Sequence, residues 1–200
     1  MRRGVLLLTI AVLCAGSTAR AGVAATWRAV IHPDDRVRLL GLWPAWTSAK
    51  AKAIVHGETA DWAALGRLAD PAAAADGDWP AAGAYRCRVV KLGATLPGQP
   101  DIAPLRDFPC TVTNDDGVIG FAGHNAFQSS TGRLYPDGER MVFLGAMTLR
   151  GDMSQFAYGA DPDRNVVGVL ERIGPARWRL ALPWPRFQST LDVVDIVPAS

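Results

Sequence analysis

The stretch Arg140-Met141-Val142-Phe143-Leu144-Gly145-Ala146-Met147-Thr148-Leu149 decides how this chain folds. In a strand, side chains alternate between the two faces of a sheet. Here Met141, Phe143, Met147 and Leu149 fall on one face, and Val142, Leu144 and Ala146 on the other. Both faces are apolar. A sheet with one wet side would alternate apolar with polar, so this segment needs cover on its outside as well as a core on its inside.

Residues 85–200 read as short strands separated by turns. Turn chemistry recurs at Asn114-Asp115-Asp116-Gly117, Pro136-Asp137-Gly138, Asp161-Pro162-Asp163 and Gly174-Pro175. In residues 177–184, Trp178, Leu180, Leu182 and Trp184 alternate with Arg177, Arg179 and Ala181, which predicts one buried and one wet face. Seven or eight hairpin-linked strands curl most economically into a closed antiparallel barrel, because closure removes exposed edges. An open, strongly curved sheet is the alternative.

The preceding residues read as helical. Residues 30–42 carry Asp34 and Asp35 early, where the helix dipole favours them, then Leu39, Leu42, Trp43 and Trp46 at helical spacing. Pro44 predicts a break, with a second helix to about His56, and Thr59 is a candidate N-cap for a third with Trp62, Leu65 and Ala69 on one face. These helices are the expected lid on the outer face of the 140–149 strand, through Leu39, Trp43, Trp46 and Trp62. The expected fold is therefore α+β: N-terminal helices packed on a small, calycin-like antiparallel β-barrel of seven or eight strands. The helical part spans 22–83 and the barrel part 84–200 of a single mature domain, 22–200.

Residues 1–21 read as a signal peptide. Arg2 and Arg3 precede an apolar run over 5–15, and Ala19-Arg20-Ala21 supplies small residues at −3 and −1, predicting cleavage before Gly22. A membrane span needs about 20 apolar residues, and this run is only about half that. Leu13 before Cys14 argues against lipidation. Loss of Arg2, Arg3 and Arg20 leaves 18 basic against 19 acidic side chains, so the basic balance of the whole chain belongs to the leader. No footprint for nucleic acid remains. The mature chain keeps Cys87 and Cys110, an even pair bound for an oxidising compartment, where a disulfide is the default. Closing that loop is worth about 3.5 kcal/mol in the chain-entropy model.

Several stretches carry a family likeness. They include Tyr85-Arg86-Cys87-Arg88 leading to Lys91-Leu92-Gly93, Phe108-Pro109-Cys110, Gly132-Arg133-Leu134-Tyr135 with Pro136-Asp137, and Phe143-Leu144-Gly145-Ala146. Tyr158-Gly159, Val167-Gly168, Trp178-Arg179-Leu180 and Leu182-Pro183 continue it, and Asp35-Arg36 with Leu39 extends it into the first helix. As a set they resemble an uncharacterised family of exported alphaproteobacterial proteins, domain of unknown function 4893. The resemblance implies that helices and strands form one unit and that both cysteines belong to the common pattern; it brings no activity. Family members tend to carry a basic residue and Gly-Ser-Gln-Arg before the Gly-Arg-Leu-Tyr segment, where this chain has residues 124–130, from His124 to Ser130. A site at that place would be altered here.

Candidate chemistry is sparse. His32, His56 and His124 share no ligand spacing, which predicts no metal, and no cofactor is expected. Ser129 or Ser130 beside His124 could pair as nucleophile and base, but no elbow motif surrounds them and a serine near a histidine in a loop is commonplace. Along residues 85–92, strict alternation puts Lys91 with Tyr85, Cys87 and Val89, while Val90 and Leu92 want burial on the other face. A bulge near Val89 resolves this and turns Lys91 outward, which is the preferred reading. Without a bulge, Lys91 points into the barrel as a buried cation needing an anionic partner. Arg133, Tyr135 and Arg140 form a second candidate group around the Pro136-Asp137-Gly138 turn, able to hold a carboxylate or phosphate at a barrel rim. Tyr158, Asp161 and Arg164 are expected to form a local salt bridge.

Two function classes follow. One is a non-enzymatic exported binding module for a small molecule or a protein partner, the latter in the manner of an inhibitor. The other is a cell-envelope structural or assembly factor acting through its helical face, with no transmembrane segment in the mature chain. An enzyme ranks third.

Overall fold

The computed structural model describes residues 26–125 and 128–199. Four helices come first: α1 (Trp27–Val30), α2 (Pro33–Leu40), α3 (Leu42–Val55) and α4 (Thr59–Ala64). Two short 3-10 turns, Gly66–Ala69 and Pro71–Ala73, lead into the sheet. The strands are β1 (Gly83–Ala94), β2 (Ile102–Pro104), β3 (Phe108–Asp115), β4 (Val118–His124), β5 (Gln128–Asp137), β6 (Arg140–Leu149), β7 (Asn165–Gly174), β8 (Arg177–Pro183) and β9 (Ser189–Pro198). Neighbours pair antiparallel in the order β1-β3-β4-β5-β6-β7-β8-β9, and β9 pairs back onto β1. This is a closed eight-stranded barrel. The ninth strand, β2, lies on the stretch of β1 that β3 leaves free: β3 takes residues 83–87 and β2 residues 90–92. The Cys87–Cys110 disulfide, with Cα atoms 5.9 Å apart, staples β1 to β3 just before that handover.

The barrel is packed solid. Tyr85 stands edge-on to Trp178 and Phe121 to Phe143, with ring centroids 5.9 and 5.8 Å apart. Gly132 and Gly145 face each other across β5 and β6, and a Cβ at Gly145 would lie 2.4 Å from the Phe143 ring, so the pair makes room for it. Among the described residues, the interior pocket bordered by Val89, Phe121 and Asp192 holds ≈ 30 Å³. That is room for a water-sized molecule, not a ligand.

Outside, two helical layers cover two sectors of the sheet. α3 presents Ala45, Ala49 and Ala53 to β1, β8 and β9, and small residues at i, i+4 and i+8 let the helix lie close. Gly93 matches them: its φ is +69°, and a Cβ there would sit 2.9 Å from the Ala49 Cα. Trp46 and Trp62, edge-to-face at 6.5 Å, complete this layer with Val90, Leu92, Leu191 and Val193. The second layer is Trp27 and Leu39 on Val142, Leu144, Val167 and Val169. The outer face of β6 is thus covered by helices, as its two apolar faces require.

Several expectations change in detail. Leu39 covers β6, but Trp46 and Trp62 cover β1, β8 and β9, and Trp43 is 65% exposed. Pro44 does not break the helix. It sits in the first turn of α3, where its missing N–H has no intrahelical partner to lose, and the break falls at Gly41. Thr59 is the first residue of α4, with Glu58 before it. The supposedly wet face of β8 is buried. Arg179, 0% exposed, donates to the carbonyls of Asp70 (2.6 Å), Arg67 and Leu68 (both 3.2 Å) and to Glu171 (2.6 Å), binding the 3-10 turn to the sheet. Trp184 lies beyond β8 with its indole N–H on the Gly41 carbonyl, not inside the barrel. The expected signal peptide falls in residues outside those described.

Candidate functional site

Helices cover β6–β7 on one side and β8, β9 and half of β1 on the other, which leaves the outer face of β3, β4 and β5. Strand register sets what that face carries. Thr113 lies opposite Gly120, Gly120 opposite Arg133, and Arg133 opposite Leu144. Thr111, Ala122, Thr131 and Ala146 form the next row. The side chains are small, so the floor is low: a Cβ on Gly120 would meet the Thr113 hydroxyl at 2.5 Å.

One wall rises beside this floor. Residues 150–161, between β6 and β7, fold back so that Gln155, Phe156, Ala157 and Tyr158 border the groove together with Val30 of α1. The wall is pinned by a buried polar network. Asp35, 1% exposed, accepts hydrogen bonds from the Tyr158 hydroxyl and the Asn165 amide, both at 2.7 Å, and from Arg38. The His32 N–H donates to the Tyr158 oxygen at 3.0 Å, and Arg38 to the Asn165 carbonyl at 3.0 Å. Burial alone would raise the Asp35 pKa, but the bonds from Arg38, Tyr158 and Asn165 outweigh it and hold the carboxyl below its usual range. Burial and the adjacent Asp35 carboxylate push the Tyr158 phenol up. At the other end, Asp152 caps the Leu149 N–H at 2.7 Å and pairs with Arg164 at 3.0 Å, whose guanidinium lies 5.3 Å from the Phe156 ring centre.

Floor and wall enclose ≈ 790 Å³, within the range of ligand-binding clefts. Its polar groups are largely uncommitted. Arg133 and Asp115 both border the groove, yet neither makes an ion pair or side-chain hydrogen bond with a described residue. The Thr131 hydroxyl is buried at the floor without a hydrogen-bond partner among the described residues. Tyr135 borders the same space.

The candidates read from the sequence therefore separate. Arg133 and Tyr135 share the groove. Arg140 does not join them: with Arg28 it pairs with Asp137 at the β5–β6 turn, at 3.5 and 3.0 Å. Lys91 points inward. The β1–β9 register runs unbroken from Tyr85 to Leu92, so there is no bulge at Val89, and the Lys91 ammonium lies 3.1 Å from Asp192, which also accepts from Ser189. Burial pushes the Asp192 carboxyl up, against the opposing pull of Lys91 and Ser189. The expected salt bridge among Tyr158, Asp161 and Arg164 does not form. Tyr158 binds Asp35, Arg164 binds Asp152, and Asp161 caps the Asp163 N–H at 2.9 Å. His124 and Ser129 are cross-strand neighbours, but no hydrogen bond joins their side chains. Among the described residues no group of three or more His, Cys, Asp and Glu side chains converges as a metal site.

A family model described as a domain of unknown function, DUF4893, matches residues 27–196. The chain belongs to this family. The matched DUF4893 span takes in both helical layers, the whole barrel apart from the last residues of β9, and every groove residue named above. No curated protein and no solved structure matches the chain.

Sequence reasoning missed Asp115, Thr113, Thr131 and the Phe156 wall. They come from β3, β5 and the loop between β6 and β7, and only the register brings them together. The single local hint was Gly120, a glycine inside a strand, which often marks close approach of another group.

Proposed function

We propose that this chain is an exported binding module whose ligand lies in the groove on the outer face of β3–β5, outside the barrel. The observation that carries this reading is the contrast in space. The interior is filled down to ≈ 30 Å³, whereas the groove offers ≈ 790 Å³ and an unpaired guanidinium, Arg133. The buried Thr131 hydroxyl at the floor has no partner among the described residues, and such a group is what a ligand satisfies. Export is part of the same proposal, supported by the leader-like residues 1–21 and by the Cys87–Cys110 disulfide. No helix among the described residues is long and apolar enough to cross a membrane.

Native mass spectrometry on protein taken from its own envelope fraction tests the reading. A co-purifying small mass should be present in the wild type and absent from Thr113→Trp, which fills the groove. Absence from both would overturn it. N-terminal sequencing of the same material should begin at Gly22; an intact Met1 would remove the export argument. A second reading, assembly through the helical face, is supported by Val37, Leu40 and Trp43, all exposed along α2 and α3.

A further inference from the structure

We propose that the ligand of this groove is a short zwitterionic peptide, its carboxylate on Arg133, its ammonium on Asp115, and an apolar side chain against Phe156 and Val30. The proposal rests on the groove being the binding site and adds the class of molecule.

Three observations converge on it. First, the groove holds one cation and one anion, and neither has a protein partner among the described residues. A purely anionic ligand would leave Asp115 facing like charge; a purely cationic one would do the same to Arg133. A molecule carrying both charges satisfies both.

Second, the two groups are held apart. Asp115 lies opposite Val118, and Arg133 opposite Gly120, so they are two strands and two residues from each other. With strands ~4.8 Å apart and ~3.3 Å per residue, their Cα atoms are separated by about 12 Å. A free amino acid carries its charges too close together to reach both. Strand side chains stand out roughly perpendicular to the sheet and so keep the charges about as far apart as the Cα atoms. An extended chain advances at most ~3.3–3.6 Å per residue, so a peptide of about two to three residues reaches from one charge to the other.

Third, the rest of the lining suits a peptide. Thr113, in register with Gly120 and Arg133, flanks the space between the charges, and its hydroxyl can bond a peptide amide. The unpartnered Thr131 hydroxyl lies one row beyond Arg133, where it can bond the carboxylate end. Leu144, Phe156, Ala157 and Val30 make the side nearest Arg133 apolar. A side chain next to the carboxylate would lie there.

The test titrates the ¹⁵N-labelled full-length mature protein with Ala-Leu-Ala, its N-acetyl form, its C-terminal amide and free leucine, following amide shifts and affinity. Ala-Leu-Ala should saturate, with shifts at Thr113, Gly120, Thr131 and Arg133. Each blocked form should bind at least about tenfold more weakly, the loss expected for one charge-assisted contact. Arg133→Gln should abolish the preference for the free carboxylate while keeping that for the free amine, and Asp115→Asn the reverse. Both residues are exposed, so the variants should keep the wild-type melting temperature. Equal affinity for free and blocked tripeptides, or shifts centred elsewhere, would overturn the proposal. So would no saturation with tripeptide in a protein whose co-purifying groove ligand is a different class of molecule, an outcome that leaves the binding-module reading standing. A failure of that reading itself appears separately, as absence of any mass that Thr113→Trp displaces.

Discussion

Lys91→Met isolates the energetics of the barrel interior. The Lys91 and Asp192 side chains retain only 14% and 7% exposure, and the ammonium and carboxylate are 3.1 Å apart. Methionine keeps the length and apolar bulk of the side chain and removes the charge, leaving a buried carboxylate with only Ser189 beside it. Breaking one side of a buried pair typically costs 3–5 kcal/mol. The residual exposure of Lys91 places this case near the lower end, about 3 kcal/mol, a large share of a typical 5–15 kcal/mol stability. The cost depends on pH in a definite direction. Burial already raises the Asp192 pKa in the folded state, so the folded protein holds this proton more tightly than the unfolded chain does. Such a group takes stability away as pH rises from about 3.9 through the folded-state value. Removing Lys91 deletes the main opposing pull and pushes the carboxyl higher still, so the penalty should be greatest at neutral pH and shrink on acidification. Urea unfolding of wild type, Lys91→Met and Lys91→Met/Asp192→Leu at pH 7 and pH 4.5 reads this directly. The double variant should recover most of the loss, because two apolar side chains replace an ion pair with no stranded charge. A single-variant cost below about 1 kcal/mol at pH 7, in the range of exposed pairs, would refute the buried-pair description.

Further expectations follow from the same structure. Reduction or Cys87→Ser/Cys110→Ser should lower stability by about 3.5 kcal/mol, and intact mass should show two hydrogens gained on reduction; free thiols in native, unreduced protein would contradict the bond. A chain beginning at Ala82 loses both outer layers and bares Val142, Leu144, Val90 and Leu92, so it should be insoluble or strongly destabilised. Near-native stability of that fragment would make the helices an independent appendage. Asp35→Asn should speed hydrogen exchange across residues 150–161, the groove wall, with little change in β1 or β9. Because the Asp35 pKa is depressed on folding, its contribution is present above the unfolded-state value of about 3.9 and is lost as pH falls through the folded one. The wall should therefore loosen first in an acid titration, and uniform loss of protection would count against this.

Much of the architecture was legible because burial leaves a pattern. The two apolar faces of β6 required an outer cover, and turn residues marked the β3–β4, β5–β6 and β7–β8 hairpins. The same logic, carried to β1, would have placed Lys91 correctly. Val90 and Leu92 are buried under α3 while Val89 and Lys91 face inward, so β1 is simply another strand covered on both sides and needs no bulge. Arg179 escaped for a different reason. Its burial depends on three carbonyls from the 3-10 turns more than a hundred residues away, and alternation along β8 carries no trace of them. Asp35 read as a dipole-favoured helix residue, yet its hydrogen-bond partners Tyr158 and Asn165 come from the far side of the chain. The groove was least legible. Thr113, Gly120, Thr131 and Arg133 are ordinary strand residues one at a time, and they become a cleft only when three strands set them side by side and α1 with residues 150–161 stops short of covering them.

The measurement that bears most directly on the central claim is amide chemical-shift mapping of the labelled protein against a dialysable extract of the cell envelope. A single experiment separates the three surfaces: barrel interior, open groove and helical face. Shifts should concentrate at Thr113, Gly120, Thr131 and Arg133 and disappear in Thr113→Trp. Shifts centred on Val37, Leu40 and Trp43, or on Val89, Leu180 and Val194 inside the barrel, would contradict a ligand held in the groove.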